Sequence, residues 1–259
     1  MKITKTQAIE INKEGWNKLI KSEKKFANTI LPEYGPFLKR NEEEIKLFNN
    51  ISGKKVLDLG CGEGESLEYL YKKGASEVWG IDISEEQIKK AKVRLPQFKN
   101  NFYTSPMEEN LKVPNGYFDY VISIFSIGYT SDLTKTLNNA YRCLKENGEL
   151  IISWTHPFYY CLDIIEDKVI VNKSYFNEES EIITKGPDKV ELVQKNLMIS
   201  TIINEARKAN FYLDIILEEE TILKDDVNGY KSTFWKKEKT ENCPSTIIYK
   251  FKKINANEI

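Results

Sequence analysis

Three glycines at alternate positions, Gly60, Gly62 and Gly64, close the stretch Val56-Leu57-Asp58-Leu59-Gly60-Cys61-Gly62-Glu63-Gly64. An apolar run, an acidic residue and such a glycine series read as a buried strand and a tight turn. The helix-like segment Ser66 to Lys73 comes next. Glycine tolerates the backbone conformations and the close ligand approach that this turn needs. The free N–H groups at the start of the next helix suit a polar or anionic group. The spacing is G-x-G-x-G, not the G-x-G-x-x-G of dinucleotide sites. Asp58 stands two residues before the first glycine, where a carboxylate disfavours a pyrophosphate and suits a cationic amino group. Asp82 ends a second apolar run, Val78-Trp79-Gly80-Ile81-Asp82-Ile83-Ser84, 24 residues after Asp58. A carboxylate at the end of a second strand can accept both hydroxyls of a ribose, each such bond contributing roughly 1.5–3 kcal/mol.

Two further residues carry chemistry. His156 is the one histidine of the chain and lies just after the apolar run Glu149 to Trp154. At the C-terminal end of a central strand, its imidazole would serve as a general base or a substrate hydrogen-bonding group. A packing role beside Pro157 is the alternative. Tyr120 to Ile124 reads as a buried parallel strand whose end, with Phe125 and the loop Ser126-Ile127-Gly128-Tyr129, opens on the same crevice. Tyr129 is placed to shape a substrate pocket or simply to pack the loop.

These residues need elements to hold them. Residues 4–30 read as a helix with Ile9, Trp16, Leu19, Ile20 and Phe26 as apolar points, ending in the rigid turn Leu31 to Phe37. Asn41 to Asn50 is expected as the helix before strand one, with Glu42–Glu44 at its start. Ser84-Glu85-Glu86-Gln87 is a capping box opening a helix through Leu95, stopped by Pro96. Strand three is expected within Phe98 to Thr104, and an amphipathic helix over Asp132 to Leu144. Residues 157–193 are too long for a plain connection. Their β-like runs Lys168 to Val171 and Glu181 to Thr184 suggest an inserted hairpin or lid that excludes water. A helix over Gln194 to Ala209 and strands over Tyr212 to Glu220 and Thr246 to Phe251 complete the chain, with a long connection at 224–244 containing Gly229, Tyr230, Phe234 and Trp235. Strands alternating with helices predict an open, mostly parallel sheet covered on both faces.

The V-L-D-L-G-C-G-E-G and G-I-D-I-S stretches, with Phe118-Asp119-Tyr120-Val121-Ile122-Ser123 and Ala140 to Leu150, resemble class I S-adenosylmethionine (SAM) methyltransferases. The resemblance is to their small-molecule, methyltransferase type 11 or ubiquinone-biosynthesis-like branch, and it is close over residues 40–155. It implies a Rossmann-like α/β fold with a seven-stranded, mostly parallel sheet. The seventh strand is then antiparallel, inserted between five and six. One domain over 1–259 is expected, with an N-terminal helical cap at 1–40 and a lid insertion at 157–193. The resemblance implies SAM as cofactor and S-adenosylhomocysteine (SAH) as product. It assigns the methionine end to Asp58, Gly60, Cys61, Gly62 and Gly64, and the ribose to Asp82. Ile83 and Met107 contact adenine, and Gln87, Ser123 and Ile124 complete the cofactor set. The family's acidic residue for the adenine amino group would fall at Ser105 or Pro106, so this chain lacks it; Met107 and Glu108 are substitutes. Trp16, Tyr34, Tyr129, His156 and Tyr160 are the substrate-binding candidates, with Tyr129 and His156 as catalytic candidates. The reaction is expected to be direct displacement onto an O, N or C atom of a small molecule, in which positioning does much of the work.

Composition narrows the partners. With 38 Lys and Arg against 39 Asp and Glu, the formal net charge of −1 gives no field for nucleic acid or an anionic membrane. No long apolar run predicts a membrane span, and Met1-Lys2-Ile3-Thr4-Lys5 lacks an apolar signal core. The four cysteines, Cys61, Cys143, Cys161 and Cys243, are scattered, so no metal site is expected and a reduced cytoplasmic setting is. An RNA (tRNA) methyltransferase, an NAD-dependent oxidoreductase and a non-catalytic SAM-binding protein are the alternatives.

Overall fold

The computed structural model describes residues 2–21, 30–36, 38–186, 188–221 and 234–254. The expected helical point Phe26, the turn residue Phe37, and Gly229 and Tyr230 of the long connection lie outside the described residues. In chain order the elements are α1 (Lys5–Lys21), α2 (Glu42–Ile45), β1 (Lys55–Leu59), α3 (Glu65–Lys72), β2 (Glu77–Asp82), α4 (Glu85–Arg94), β3 (Phe102–Thr104), β4 (Phe118–Ile124) and α5 (Leu133–Cys143). They continue with β5 (Leu144–Thr155), α6 (Pro157–Cys161), β6 (Leu162–Ile165), β7 (Lys168–Val171), β8 (Glu181–Lys185), β9 (Val190–Gln194), α7 (Ile199–Lys208), β10 (Phe211–Glu218), α8 (Lys237–Thr240) and β11 (Thr246–Lys253).

Seven strands form one sheet in the order β10-β11-β5-β4-β1-β2-β3. Neighbours from β5 to β3 pair in parallel, while β11 pairs antiparallel with both β5 and β10. β10 and β11 are thus the expected strands six and seven, in the expected arrangement. Side-chain alternation along the strands builds two apolar layers. Leu57, Val121, Ile152 and Tyr249 meet α5 and α7 on one face, through Leu137 and Ala206. Val56, Ile122, Ile151 and Ile248 meet α3 and α4 on the other, through Leu67 and Ala91. The chain leaves β1 towards β2 and β3, then returns to β4 on the other side of β1. The strand order therefore switches between β1 and β4, where a crevice opens at the C-terminal strand ends.

Several expectations are corrected. The helix expected over 41–50 is a single turn. Its start is as predicted, with Asn41 capping and Glu44 closing the box. Its end is set by Glu42, which is buried and accepts the N–H groups of Leu47 and Phe48 and the Tyr34 hydroxyl. Those N–H groups therefore leave the helical ladder, and Lys46 turns left-handed at φ 56°. The two β-like runs of the insertion do not pair with each other. β7 pairs with β6, and β8 with β9, giving two separate hairpins. Gln194 belongs to β9, so the next helix starts at Ile199. Strand five starts at Leu144, earlier than expected, and β3 is confined to three residues after a 3-10 turn.

α1 ties this periphery to the crevice. Asn12, 2% exposed, holds β9 with both ends of its amide. Its Oδ1 accepts the Val193 N–H at 2.7 Å and its Nδ2 donates to the Val193 carbonyl at 2.9 Å, with a further bond to the Tyr129 carbonyl at 3.3 Å. A Cβ at Gly15 would overlap the Glu191 carbonyl oxygen, so the glycine sets the close approach of α1 to β9. One turn on, Asn17 Oδ1 accepts the Ser84 hydroxyl at 2.7 Å and the Glu86 N–H at 3.2 Å, at the start of α4. α1 therefore bridges the β8–β9 hairpin and the end of β2. Replacing a buried amide and stranding its partners costs about 1–3 kcal/mol. In Asn12→Ala, native-state hydrogen exchange should speed up about tenfold or more at β9 amides and stay unchanged at β1 and β4. Equal acceleration throughout the sheet would show that Asn12 is not a local tie.

Candidate functional site

The turn after β1 supplies the floor of the crevice. Gly60, Gly62 and Gly64 all have positive φ, at 85°, 53° and 80°. The Gly60 and Cys61 N–H groups donate to the Ile81 carbonyl at 2.7 and 2.9 Å, locking the turn to β2. A Cβ at Gly60 would overlap Ser126, the residue that bridges β4 and β1. Ser126 Oγ donates to the Leu59 carbonyl at 2.6 Å and shares a 2.6 Å hydroxyl pair with Ser123. A Cβ at Gly62, by contrast, meets only Gln87 Oε1 at 3.8 Å, so the open side of the turn is there.

The two acidic residues differ in their partners. Asp58 is 2% exposed, and its Oδ1 has no hydrogen-bond partner. Burial and the nearby Asp82 charge push its carboxyl well above the usual carboxylate range. Asp82 keeps a partly accessible surface, with Oδ2 accepting the Gly62 N–H at 2.9 Å and Oδ1 the Ser84 N–H at 2.8 Å. Burial pushes its carboxyl up to about 6, against the backbone bonds that lower it. A carboxylate offers about four acceptor positions, so the backbone bonds leave room for a ligand. Gln87 corrects the capping-box expectation. Ser84 accepts the Gln87 N–H, but the Ser84 N–H is taken by Asp82, and Gln87 Oε1 is left buried without a partner. Two unpaired acceptors, Asp58 Oδ1 and Gln87 Oε1, thus flank one glycine turn. Buried polar atoms are nearly always satisfied, so two open acceptors at one turn could receive donors from outside the chain.

The other candidates separate into groups. Met107 closes one side, with Cε 3.4 Å from where a Gly60 Cβ would lie, and Asn139 Nδ2 donating to its carbonyl at 2.9 Å. Ile83 is partly buried beside Asp82, and Ile124 is buried at the end of β4. Cys61 faces the sheet beneath, its Sγ 2.6 Å from a would-be Gly80 Cβ, and its thiol is pushed up by burial. Its backbone, not its thiol, borders the crevice. Glu108 is neither solvated nor free: it is buried and accepts the Ser131 N–H and hydroxyl at 2.9 and 2.5 Å.

Tyr129 stands between Trp16 of α1 and Trp154 of β5, edge-on to both at 5.2 Å. Lys185, from β8, donates to its hydroxyl at 2.6 Å. Tyr34 is not in this group, being fully buried with its hydroxyl on Glu42 Oε2 at 2.6 Å. Tyr160 sits farther along, on α6, with its hydroxyl on Glu181 Oε2 at 2.6 Å. His156 begins α6 as its N-cap. Its Nδ1 accepts the Phe158 N–H at 3.2 Å, so the neutral ring carries its proton on Nε2, 2.8 Å from Glu218 Oε1. Burial lowers its imidazole below the ordinary value, against Glu218.

Sequence reading missed Lys185, and it missed how Phe125 is held. Phe125 comes directly after β4 with φ 53°, a conformation rare for a bulky residue, and its ring lies 5.6 Å from Trp154 and 6.3 Å from Trp235. No local pattern announces such a backbone. Among the described residues no group of three or more His, Cys, Asp or Glu could hold a metal ion, and no helix is long and apolar enough to cross a membrane.

A methyltransferase-domain family model matches residues 33–184. An uncharacterized protein of Haemophilus influenzae is 36% identical over 122 residues, 45% of this chain and 48% of its own length. The ubiquinone/menaquinone biosynthesis C-methyltransferase of Rickettsia akari is 32% identical over 145 residues, 53% of each chain. The chain spans about half the length of the curated relatives it matches. Among solved structures, a putative SAM-dependent methyltransferase from Listeria monocytogenes superposes with a TM-score of 0.65 at 22% identity, covering 83% of this chain and 97% of that one. Geranyl diphosphate C-methyltransferase from Streptomyces coelicolor, in complex with Mg2+, geranyl diphosphate and SAH, gives 0.63 at 14% identity, covering 97% and 100%.

The charge state of Asp58 makes a direct prediction. Its folded-state carboxyl is raised, so its unfavourable contribution is present above that raised value and disappears as pH falls towards the unfolded value. Asp58→Asn should therefore raise the melting temperature of the ligand-free protein by several degrees at pH 8, and by much less at pH 5. A gain that did not depend on pH, or a loss at pH 8, would contradict the buried-charge account.

Proposed function

The chain belongs to the methyltransferase-domain family, and from that premise we propose that it transfers a methyl group from SAM to a small-molecule acceptor. The observation that carries this reading is the pair of unpaired buried acceptors, Asp58 Oδ1 and Gln87 Oε1, at a turn of three positive-φ glycines. Asp58 accepts the methionine ammonium, whose positive charge offsets both its own burial and its repulsion from Asp82. Asp82 accepts the ribose hydroxyls with the lone pairs that Gly62 and Ser84 leave free. Gly60, Cys61, Gly62 and Gly64 line the methionine end with backbone, Gln87 adds an acceptor, and Ile83 and Met107 hold the adenine faces. Ser123 and Ile124 act from beneath, Ser123 by fixing Ser126 against Gly60.

When bound, SAM supplies an electrophilic methyl on a sulfonium. The methyl would pass to the acceptor's nucleophilic atom with the S–CH3 electron pair kept by sulfur as SAH, and any proton on that atom would be released. The chain's part is positioning: reacting atoms about 3–3.5 Å apart, aligned with the breaking bond. Trp16, Tyr129, Trp154 and Phe125 form the apolar wall that orients the acceptor and keeps water out. His156 serves as a positioning residue, because its Nδ1 is occupied by the Phe158 N–H and its Nε2–H by Glu218. The relatives' quinone-pathway names, and the apolar wall, favour an apolar or ring-bearing acceptor.

Calorimetric titration of SAM and SAH tests the reading. Binding should be micromolar in the wild type and at least tenfold weaker in Asp82→Ala, a loss of roughly 1.4 kcal/mol. Wild-type protein that is folded yet binds neither ligand would overturn it.

A further inference from the structure

A second cavity, of about 270 Å³, lies beyond the aromatic wall. Tyr160, Lys173, Phe234, Lys236 and Lys239 line it, with Asp163 at one side. Lys239 sets its character. Its side chain belongs to a residue only 4% exposed, yet among the described residues no carboxylate lies within ion-pair distance of its ammonium. It has instead the faces of Tyr159 and Phe234, at 4.1 and 4.6 Å, and a long 3.5 Å contact to the Phe234 carbonyl. Burial lowers its ammonium to about 8. Asp163, across the cavity, acts against that shift but lies beyond ion-pair distance, and a ligand's negative charge would offset the remaining cost of a buried cation. Lys173, over the Tyr160 ring at 4.3 Å, is paired with Glu181, while Lys236 is exposed at the mouth.

Ring contacts connect this cavity to the crevice. Phe234 meets Trp235 at 4.7 Å, and Trp235 meets Phe125 at 6.3 Å, directly after β4. Two aromatic residues thus separate the lysines from the end of the strand beside which the methyl would be delivered.

We propose that the cavity binds an anionic group, a phosphate or a carboxylate, carried by the methyl acceptor. The acceptor's apolar body then runs along Phe234 and Trp235 towards Phe125, so the preferred substrate is an elongated, apolar molecule with an anionic end. The identification of the anion as part of the acceptor rests on the methyl-transfer reading; the anion site itself does not.

Inorganic pyrophosphate titrated into the full chain should bind saturably at one site. Lys239→Met should weaken it at least tenfold and the exposed Lys236→Met about threefold, with SAH affinity unchanged in both. Absence of saturable binding to the wild type, or equal affinity in both variants, would overturn the anion site. Pairs of acceptors differing only in a phosphate or carboxylate give the second arm. Lys239→Met should raise KM for the anionic member at least tenfold and leave kcat within about twofold; an unchanged KM would detach the site from the acceptor. SAH titration of the same samples keeps the two readings apart. Failure of SAH to bind removes the methyl-transfer reading while pyrophosphate still reports on the cavity.

Discussion

The structure depends on a carboxylate kept where water cannot reach it. Asp58 sits on β1, an interior strand of a sheet that is apolar on both faces, and its Oδ1 has no partner. A position on that strand is normally given to Val, Leu or Ile. A second carboxylate, Asp82, ends the adjacent strand and adds repulsion. Such an arrangement persists only if the rest of the fold over-determines it. Here the surroundings do so: the Ile81 carbonyl takes two N–H groups from the turn, and Ser126 ties β4 to β1 across Gly60. On the proposed reading, the energy held there is what a cationic ligand would release, so the instability at this point and the affinity would be two aspects of one interaction.

The periphery derives from that choice. A crevice with unpaired acceptors needs a cover that excludes water without supplying competing donors. α1 meets the need with amides aimed elsewhere: Asn12 at β9 and Asn17 at α4. The side chain that α1 turns towards Tyr129 is the Trp16 ring. The polar groups of the cover are spent on holding it in place, and its apolar groups face inward. Lys185 is the exception, and its ammonium is occupied by the Tyr129 hydroxyl.

The sheet was legible because its signals are strong and local. A two-faced apolar strand such as Phe118–Ile124 has no reading but a central one, and the glycine turn after β1 commits the chain to a helix. The positions of the two proposed carboxylates were legible for the same reason, since Asp58 lies one residue before the end of β1 and Asp82 ends β2. The features that were not legible depended on side chains reaching across sequence. Glu42 reads as an exposed helix-start acid, yet it takes the N–H groups that would have continued its helix. Gln87 reads as half of a capping box, but Asp82 outcompetes it for the Ser84 N–H and leaves it for the crevice. Glu108 reads as a substitute for the missing adenine contact, yet it is buried and takes the Ser131 N–H and hydroxyl. For Glu42 and Gln87 local pattern identified a polar residue at a helix start, and in all three cases tertiary contacts decided which groups it served.

The insertion shows where that limit matters most for function. Its β-like runs were visible, but period-2 alternation gives no information about partners, and both runs pair outside the predicted hairpin. The consequence is spatial. Because β8 pairs with β9 and not with β7, its two ends are held apart: Lys185 reaches Tyr129, while Glu181 takes the Tyr160 hydroxyl of α6. One inserted segment therefore borders two distinct spaces, an apolar one beside β4 and a basic one beside α8. A methyl acceptor that fills only the first would leave Lys239 with no carboxylate within ion-pair distance among the described residues, and one with an anionic end that fills both would supply it. On the proposed reading, the pairing of these four short strands, more than any residue of the glycine turn, would set what the protein can accept.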